Sequence, residues 1–240
     1  DEKRGIVYAP LGSASYDFYG GKRLGDNLFA NSILALDAAT GKKVWHFQTV
    51  HHDIWDRDLP TAPALVTIQK DGKQIDAIAQ PTKSGLIYLL DRISGKPIYP
   101  INEIKVPTNS DLIGEKVSPT QPWPSVIASF ARQSFTEKDI NPLISVDEQN
   151  AIKKQLQNLS TGFIFNTPSK KGTVIFPGFD GGAEWGGPAY DPTTHLLYVN
   201  ANEMPWILTM VDQKNDAPKK ETIGAAGERL YKINCMACHG

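Results

Sequence analysis

The chain has 240 residues, of which 40% are hydrophobic and 21% charged, and its formal net charge is -1 at pH 7. This composition can bury a core and excludes a chain disordered throughout, while the near-neutral charge and the lack of any Lys/Arg run exclude nucleic acid as a partner. No apolar stretch approaches the roughly 20 residues that cross a bilayer.

Taken in chain order, short β-branched and aromatic runs alternate with turn residues, which predicts many short strands. The strand candidates are Gly5–Ala9, Ser32–Asp37, Lys43–Phe47, Ala77–Gln80, Gly85–Leu90, Thr173–Phe176 and Leu196–Val199. A helix is predicted over Val146–Leu159, where Asp147 can cap and Ile152, Leu156 and Leu159 recur at helical spacing. The segment Ala35–Trp45 reads strand, tight turn, strand, and Leu89–Tyr99 repeats it 54 residues later. In both, an Asp (Asp37, Asp91) can accept from its own turn, and a Gly (Gly41, Gly95) can supply positive φ. Ala189–Tyr198 is a looser third copy. Repeated hairpins of this kind point to propeller blades. Between about Pro100 and Lys171 the period is lost, as in an excursion that walls in a binding site. From Asp212 to Glu221 the chain is polar, as an interdomain linker would be.

The densest polar cluster is His51-His52-Asp53-Ile54-Trp55-Asp56-Arg57-Asp58. A zinc site and a polar loop between blades are both open here, although adjacent His side chains on a strand point to opposite faces. Trp55 beside Asp56 points to an acid kept from full solvation by an aromatic wall. The two cysteines, Cys235 and Cys238, with His239 make the Cys-x-x-Cys-His signal of a c-type haem, a redox or zinc pair being the alternative. Gly227–Asn234 before them reads as a leading helix.

The run Ala35–Pro60 closely resembles the quinoprotein glucose dehydrogenases, relatives of the quinoprotein alcohol dehydrogenases. The resemblance continues through Gln80–Arg92, Ser118–Pro122 and Phe176–Gly187. It implies an all-β fold, about half of an eight-bladed propeller holding pyrroloquinoline quinone (PQQ), over residues 1–211. Residues 212–226 would then be a linker, and 227–240 the start of a cytochrome c domain. Carried over by position, Asp56 matches the family's catalytic base and Lys83, 27 residues on, the lysine that bonds the quinone oxygens. Glu184 and Trp185 match a cofactor-contacting pair that is often Asn-Trp. The loop Gly12–Asp17 matches one that presents an Asn to calcium; with no Asn there, Asp17 is the oxygen ligand expected. His239 would ligate the haem iron.

The resemblance implies oxidation of an alcohol or aldose with PQQ and calcium, electrons passing to haem c and on to a respiratory acceptor. It also implies the periplasm or another extracytoplasmic space. Membrane association through segments outside these residues stays open. A non-catalytic propeller scaffold for protein partners is the rival, and it would have no use for Asp56, Lys83 or a haem signal.

Overall fold

The computed structural model describes residues 1–212 and 221–236. Residues 213–220 of the expected linker, and Cys238 and His239 of the haem signal, lie outside the described residues. The chain divides into two units, Asp1–Met210 and Val211–Gly240.

In the first unit all strand pairings are antiparallel. Strands β1 (Ile6–Pro10), β2 (Ser32–Asp37) and β3 (Lys43–Gln48) form one three-stranded meander. Strands β4 (Ala64–Lys70), β5 (Lys73–Pro81) and β6 (Ile87–Asp91) form a second. The two sheets share a core, because Ile6, Ile33, Ala35 and Trp45 of the first pack with Ile78 and Leu90 of the second. Ile78 is flanked by Ala77 and Ala79, which are buried in a second cluster with Val66, so the second meander is covered on both faces. Strands β7 (Ile101–Lys105) and β8 (Thr120–Pro124) pair inside the span where the repeat period is lost. That excursion is therefore partly β-sheet, and β8 escapes sequence reasoning because two of its five residues are proline. A two-stranded sheet has free edges, where a missing N–H costs nothing. Strand β9 (Thr173–Ile175) pairs with β12 (Trp206–Leu208), and β10 (Pro188–Asp191) with β11 (Leu196–Val199). The latter hairpin lies on the second meander, where Tyr190 and Leu197 pack against Val66 and the Tyr190 hydroxyl donates to the Thr67 carbonyl at 2.8 Å.

Helix α1 spans Val146–Leu156 and ends sooner than its sequence pattern predicts. Its cap is Ser145 rather than Asp147: the Ser145 hydroxyl accepts from the Glu148 N–H while the Glu148 carboxylate reaches back to the Ser145 N–H. Reciprocal bonding of that kind satisfies two helix-end donors, whereas Asp147, two residues later, is already inside the first turn. In the second unit helix α2 (Ile223–Asn234) is capped by Thr222 and begins within the span expected to be linker.

The repeated turns form as their chemistry dictates. Asp37 Oδ1 accepts the Thr40 N–H at 2.8 Å and Asp91 Oδ1 accepts the Ser94 N–H at 2.8 Å. Gly41 and Gly95, four residues after each Asp, both have φ of +69°. The third copy keeps the bonds to Asp191, but His195 takes the left-handed position with φ of +58°. Gly41 has open space around it, whereas a Cβ on Gly95 would lie 2.5 Å from Trp45. We therefore expect Gly41→Ala to lose roughly 1 kcal/mol, from the left-handed backbone alone. Gly95→Ala should lose about 1–3 kcal/mol more, from overpacking against the indole. Urea unfolding followed by tryptophan fluorescence measures both, and equal losses would mean that Trp45 does not select glycine there.

Candidate active site

The 51–58 loop is built around one buried carboxylate. Asp53 accepts from the Trp55 N–H at 2.8 Å, the Arg57 N–H at 2.7 Å, Asn31 Nδ2 at 2.7 Å and the Ser13 hydroxyl. Two of these donors belong to its own loop, so Asp53 curls the chain; the others tie the curl to the N-terminal segment. The curl requires His52 at φ +45° and Asp56 at φ +59°, and Asp tolerates that region better than most side chains. Trp55 is fully buried, stacks edge-on against Phe165 and donates to the Asn166 carbonyl at 2.7 Å. It anchors the loop in the core; it is not the cavity wall that the sequence points to.

His52 and Glu115 form a buried pair. The imidazole meets the Gly25 carbonyl at 2.8 Å and Glu115 Oε1 at 2.9 Å, two acceptors that together call for protonation of both ring nitrogens. The bond to Glu115 raises the His52 pKa. Burial opposes ionisation of Glu115, but His52 and the backbone N–H groups of Gly20 and Lys116 outweigh it and hold that carboxyl below its ordinary range. His51 instead meets Gln48 and Glu103. Among the described residues no group of three or more His, Cys, Asp and Glu is placed to hold a metal ion, and both histidines have hydrogen-bond partners in the polar loop's surroundings.

Lys83 arrives from a different direction. It follows β5 in a tight turn, closed by the Gly85 N–H donating to the Thr82 carbonyl at 2.9 Å. The 181–184 segment lies directly on this turn: the Gly182 N–H donates to the Lys83 carbonyl at 2.6 Å. A Cβ on Gly182 would sit 2.6 Å from Gly85 Cα, so two backbones meet where no side chain fits. This approach carries Glu184 to Lys83. Arg57, fully buried, locks the same junction by donating to the Pro177 carbonyl at 2.6 Å.

The result is one ammonium among three carboxylates. Lys83 Nζ lies 3.1 Å from Asp56, 2.8 Å from Asp58 and 3.4 Å from Glu184. Burial, followed by the charge of Asp58, outweighs the pull of Lys83 and pushes the Asp56 carboxyl up to about 7. Burial raises Glu184 as well. Burial by itself would lower Lys83, but contact with Asp58 and the charges of Asp56 and Glu184 reverse this, so the amine stays protonated. Lys83 and Glu184 open on a cavity of about 450 Å³, also lined by Phe179, Asp180, Gly182, Trp185, Asn200 and Asn202. Trp185 is 81% exposed, an unusual state for an indole. Asp17 is exposed but near enough for Asp53 and Asp58, after desolvation, to raise its carboxyl.

The structure therefore brings Asp56, Lys83, Glu184 and Trp185 together and sets Asp17 within electrostatic reach. Cys235 belongs to the second unit, at the C-terminal cap of α2. Sequence reasoning missed Asp58, Asp53, Arg57 and the cavity residues Phe179, Asn200 and Asn202. The signal for Asp58 was its place two residues after Asp56, which is legible once Asp56 is given a role.

Short antiparallel meanders beside a polar cavity define a piece of a β-propeller. Residues 1–235 match the PQQ glucose/ethanol/alcohol dehydrogenase β-propeller domain, and the chain belongs to that family. It is 38% identical over 246 residues to the quinoprotein glucose dehydrogenase of Gluconobacter oxydans, covering 98% of this chain and 29% of that protein. It is 36% identical to the quinate/shikimate dehydrogenase (quinone) of Acinetobacter baylyi, over 96% of this chain and 28% of that protein. The quinohemoprotein alcohol dehydrogenase of Comamonas testosteroni superposes with a TM-score of 0.56 at 26% identity, covering 87% of this chain and 25% of that one. The chain thus spans under a third of the length of these relatives, and its fold is a partial propeller of the quinoprotein dehydrogenase type.

The Asp56 shift has a stability consequence. An unfolded Asp releases its proton near pH 4, the folded one near pH 7, so the folded state binds more protons between those values. Stability contributed by this group is full below about pH 4 and lost as pH rises through about 7. In cofactor-free protein Asp56→Asn should therefore melt higher than the native protein above pH 7, the difference closing toward pH 4. Melting curves across that range check this, and a pH-independent difference would contradict it.

Proposed function

We propose that the chain forms part of an enzyme that oxidises an alcohol or aldose sugar with PQQ, in which Asp56 is the catalytic base. The observation that carries the reading is the 3.1 Å contact of Lys83 with Asp56 beside the Trp185-lined cavity. Removing hydride from an alcohol carbon requires loss of the hydroxyl proton, and a carboxylate titrating near 7 is matched to accept it at neutral pH. Lys83, held protonated, donates to a carbonyl oxygen and polarises it. The exposed Trp185 offers a flat apolar face, and Glu184 lines the cavity beside the ammonium. These residues fit the carbonyl end of an ortho-quinone: one fixed cation, an aromatic plane and room for a ring system. When bound, PQQ supplies the two-electron acceptor. For calcium, Asp17 is the proposed ligand, and no step is derived through the ion.

We further assign residues 1–211 to the propeller piece, 212–226 to a linker and 227–240 to the start of a cytochrome c domain. Cys235, Cys238 and His239 would attach and ligate haem c, which would pass electrons to a respiratory acceptor in the periplasm or an equivalent space. Haem staining of the denatured whole protein, made with haem-maturation machinery, tests this part; an unstained band removes it without touching the propeller reading.

The catalytic roles are tested by steady-state rates across a PQQ titration. Asp56→Asn keeps shape and removes the base, so turnover should fall roughly 100- to 10,000-fold at every PQQ concentration. Lys83→Ala should lose turnover too, but with weaker cofactor affinity, so that excess PQQ restores part of it. Near-normal turnover in Asp56→Asn would make Asp56 a structural loop acid.

A further inference from the structure

Lys83 has three N–H donors, and three carboxylates claim its ammonium. The shortest contact is not with Asp56 but with Asp58 Oδ1, 2.8 Å against 3.1 Å. Asp58 Oδ1 is buried and makes no hydrogen bond of good angle, nor does Glu184 Oε1. A loop carboxylate with that purpose alone would normally take backbone N–H groups, as Asp53 does from Trp55 and Arg57 two and four residues on. Asp58 instead spends its buried oxygen on charge contact with Lys83, at a desolvation cost that a solvated residue would avoid.

The effect falls on Asp56. Given no other carboxylate, an ammonium at this distance would settle on Asp56 and hold it as an inert ion pair, too weakly basic to take a substrate proton. Four ionisable groups act on Asp56 directly, and two more, Glu184 and Asp17, bear on its neighbours Lys83 and Asp58. Asp53, Arg57 and Asp58 come from its own loop, Lys83 from the turn after β5, Glu184 from the 181–184 segment and Asp17 from the N-terminal loop. Asp53 is saturated by four donors, and Arg57 is tied through Nη1 to the Pro177 carbonyl, so both are held by the scaffold. Glu184 is farther from Lys83, at 3.4 Å. Asp58 is the group placed to divide the ammonium.

We propose that Asp58 is a positioning residue: it draws Lys83 partly away from Asp56, so that one lysine can serve the cofactor carbonyl while Asp56 remains free to accept a proton. The proposal rests on the reading of Asp56 as the base, and it extends the working site to a residue that touches neither substrate nor cofactor.

The test uses the whole protein without cofactor. Difference infrared spectroscopy follows the protonated-carboxyl stretch against pH, and the part of the signal lost in Asp56→Asn is the Asp56 titration. Asp58→Asn and Asp58→Ser should each move its midpoint acidward by roughly 1–3 pH units, as an opposite charge closes in and a like charge leaves. Asp58→Glu, which restores the carboxylate, should bring it back toward the native value. In the holoenzyme the rising limb of turnover against pH should shift in the same direction. A midpoint that stays put or rises in folded Asp58→Asn and Asp58→Ser would overturn the proposal. So would failure of both to fold, the mark of a structural anchor. If Asp56→Asn retains turnover, the base assignment falls instead, while the infrared shift still decides whether Asp58 governs the Asp56–Lys83 pair.

Discussion

Lys83 and the carboxylates around it set the terms for everything near the cavity. Asp56, Asp58 and Glu184 all lie within 3.4 Å of its ammonium, so the full set of charges would leave a net negative cluster in a largely buried place. Such a cluster relieves itself by holding a proton, and desolvation together with the neighbouring Asp58 and Asp53 charges favours Asp56 as its place. The elevated proton affinity of Asp56 is therefore a property of the group and not of one side chain. It follows from crowding, and it depends on keeping three chain segments in contact: the 51–58 loop, the turn after β5 and the 181–184 segment.

Those segments are held by interactions that carry no chemistry of their own. Asp53 turns the loop from within. Trp55 pins it to the core beside Phe165, and Arg57 fastens it to the Pro177 carbonyl. His52 and Glu115 fix the N-terminal loop to the excursion through Gly25 and Gly20. Asp53, Trp55, His52 and Glu115 are buried polar groups with hydrogen-bond partners supplied, the condition under which their burial is tolerated. Gly182 and Gly85 add close backbone contact where a Cβ would hold the segments apart. Precision at the cavity is thus delegated to residues whose side chains never reach it.

This division explains what could be read from the sequence. Turn chemistry is local, so Asp37 with Gly41 and Asp91 with Gly95 announced their hairpins, and β2 and β11 fall where their residues predict. Long ordered motifs gave the family, and through it the pairing of Asp56 with Lys83. What stayed hidden is non-local. Strand β4 ends in polar Gln69 and Lys70 and is defined by its partner β5, while β7 and β8 find each other across an excursion that has no repeat to mark it. Ser145 outcompetes Asp147 as a cap because of a reciprocal bond with Glu148, a matter of offset by two residues. Glu115 gave no sign in sequence that it would sit against His52, 63 residues away. Trp55 was legible as important but not as buried, since a strand period cannot describe a loop that curls through positive φ.

The curl itself shows where the fold accepts a cost. His52 and Asp56, both in the left-handed region, lie four residues apart on the loop that carries the crowded carboxylates. Backbone strain and electrostatic crowding each disfavour the folded state, and here they coincide in one short segment. Such a segment persists when its surroundings over-determine it, and these do: its supports come from residues 13, 25, 31, 115, 166 and 177, spread over most of the first unit. A local substitution in the loop is therefore opposed by contacts from across the propeller piece. Neutralising Asp56 relieves crowding without cutting any support, so loss of function there goes with gain of stability. Removing Asp53 or Glu115 does the reverse, because it leaves buried donors without acceptors and frees the loop to relax. The sign of a substitution's effect on stability thus separates the residues that carry the charge from those that hold them in place.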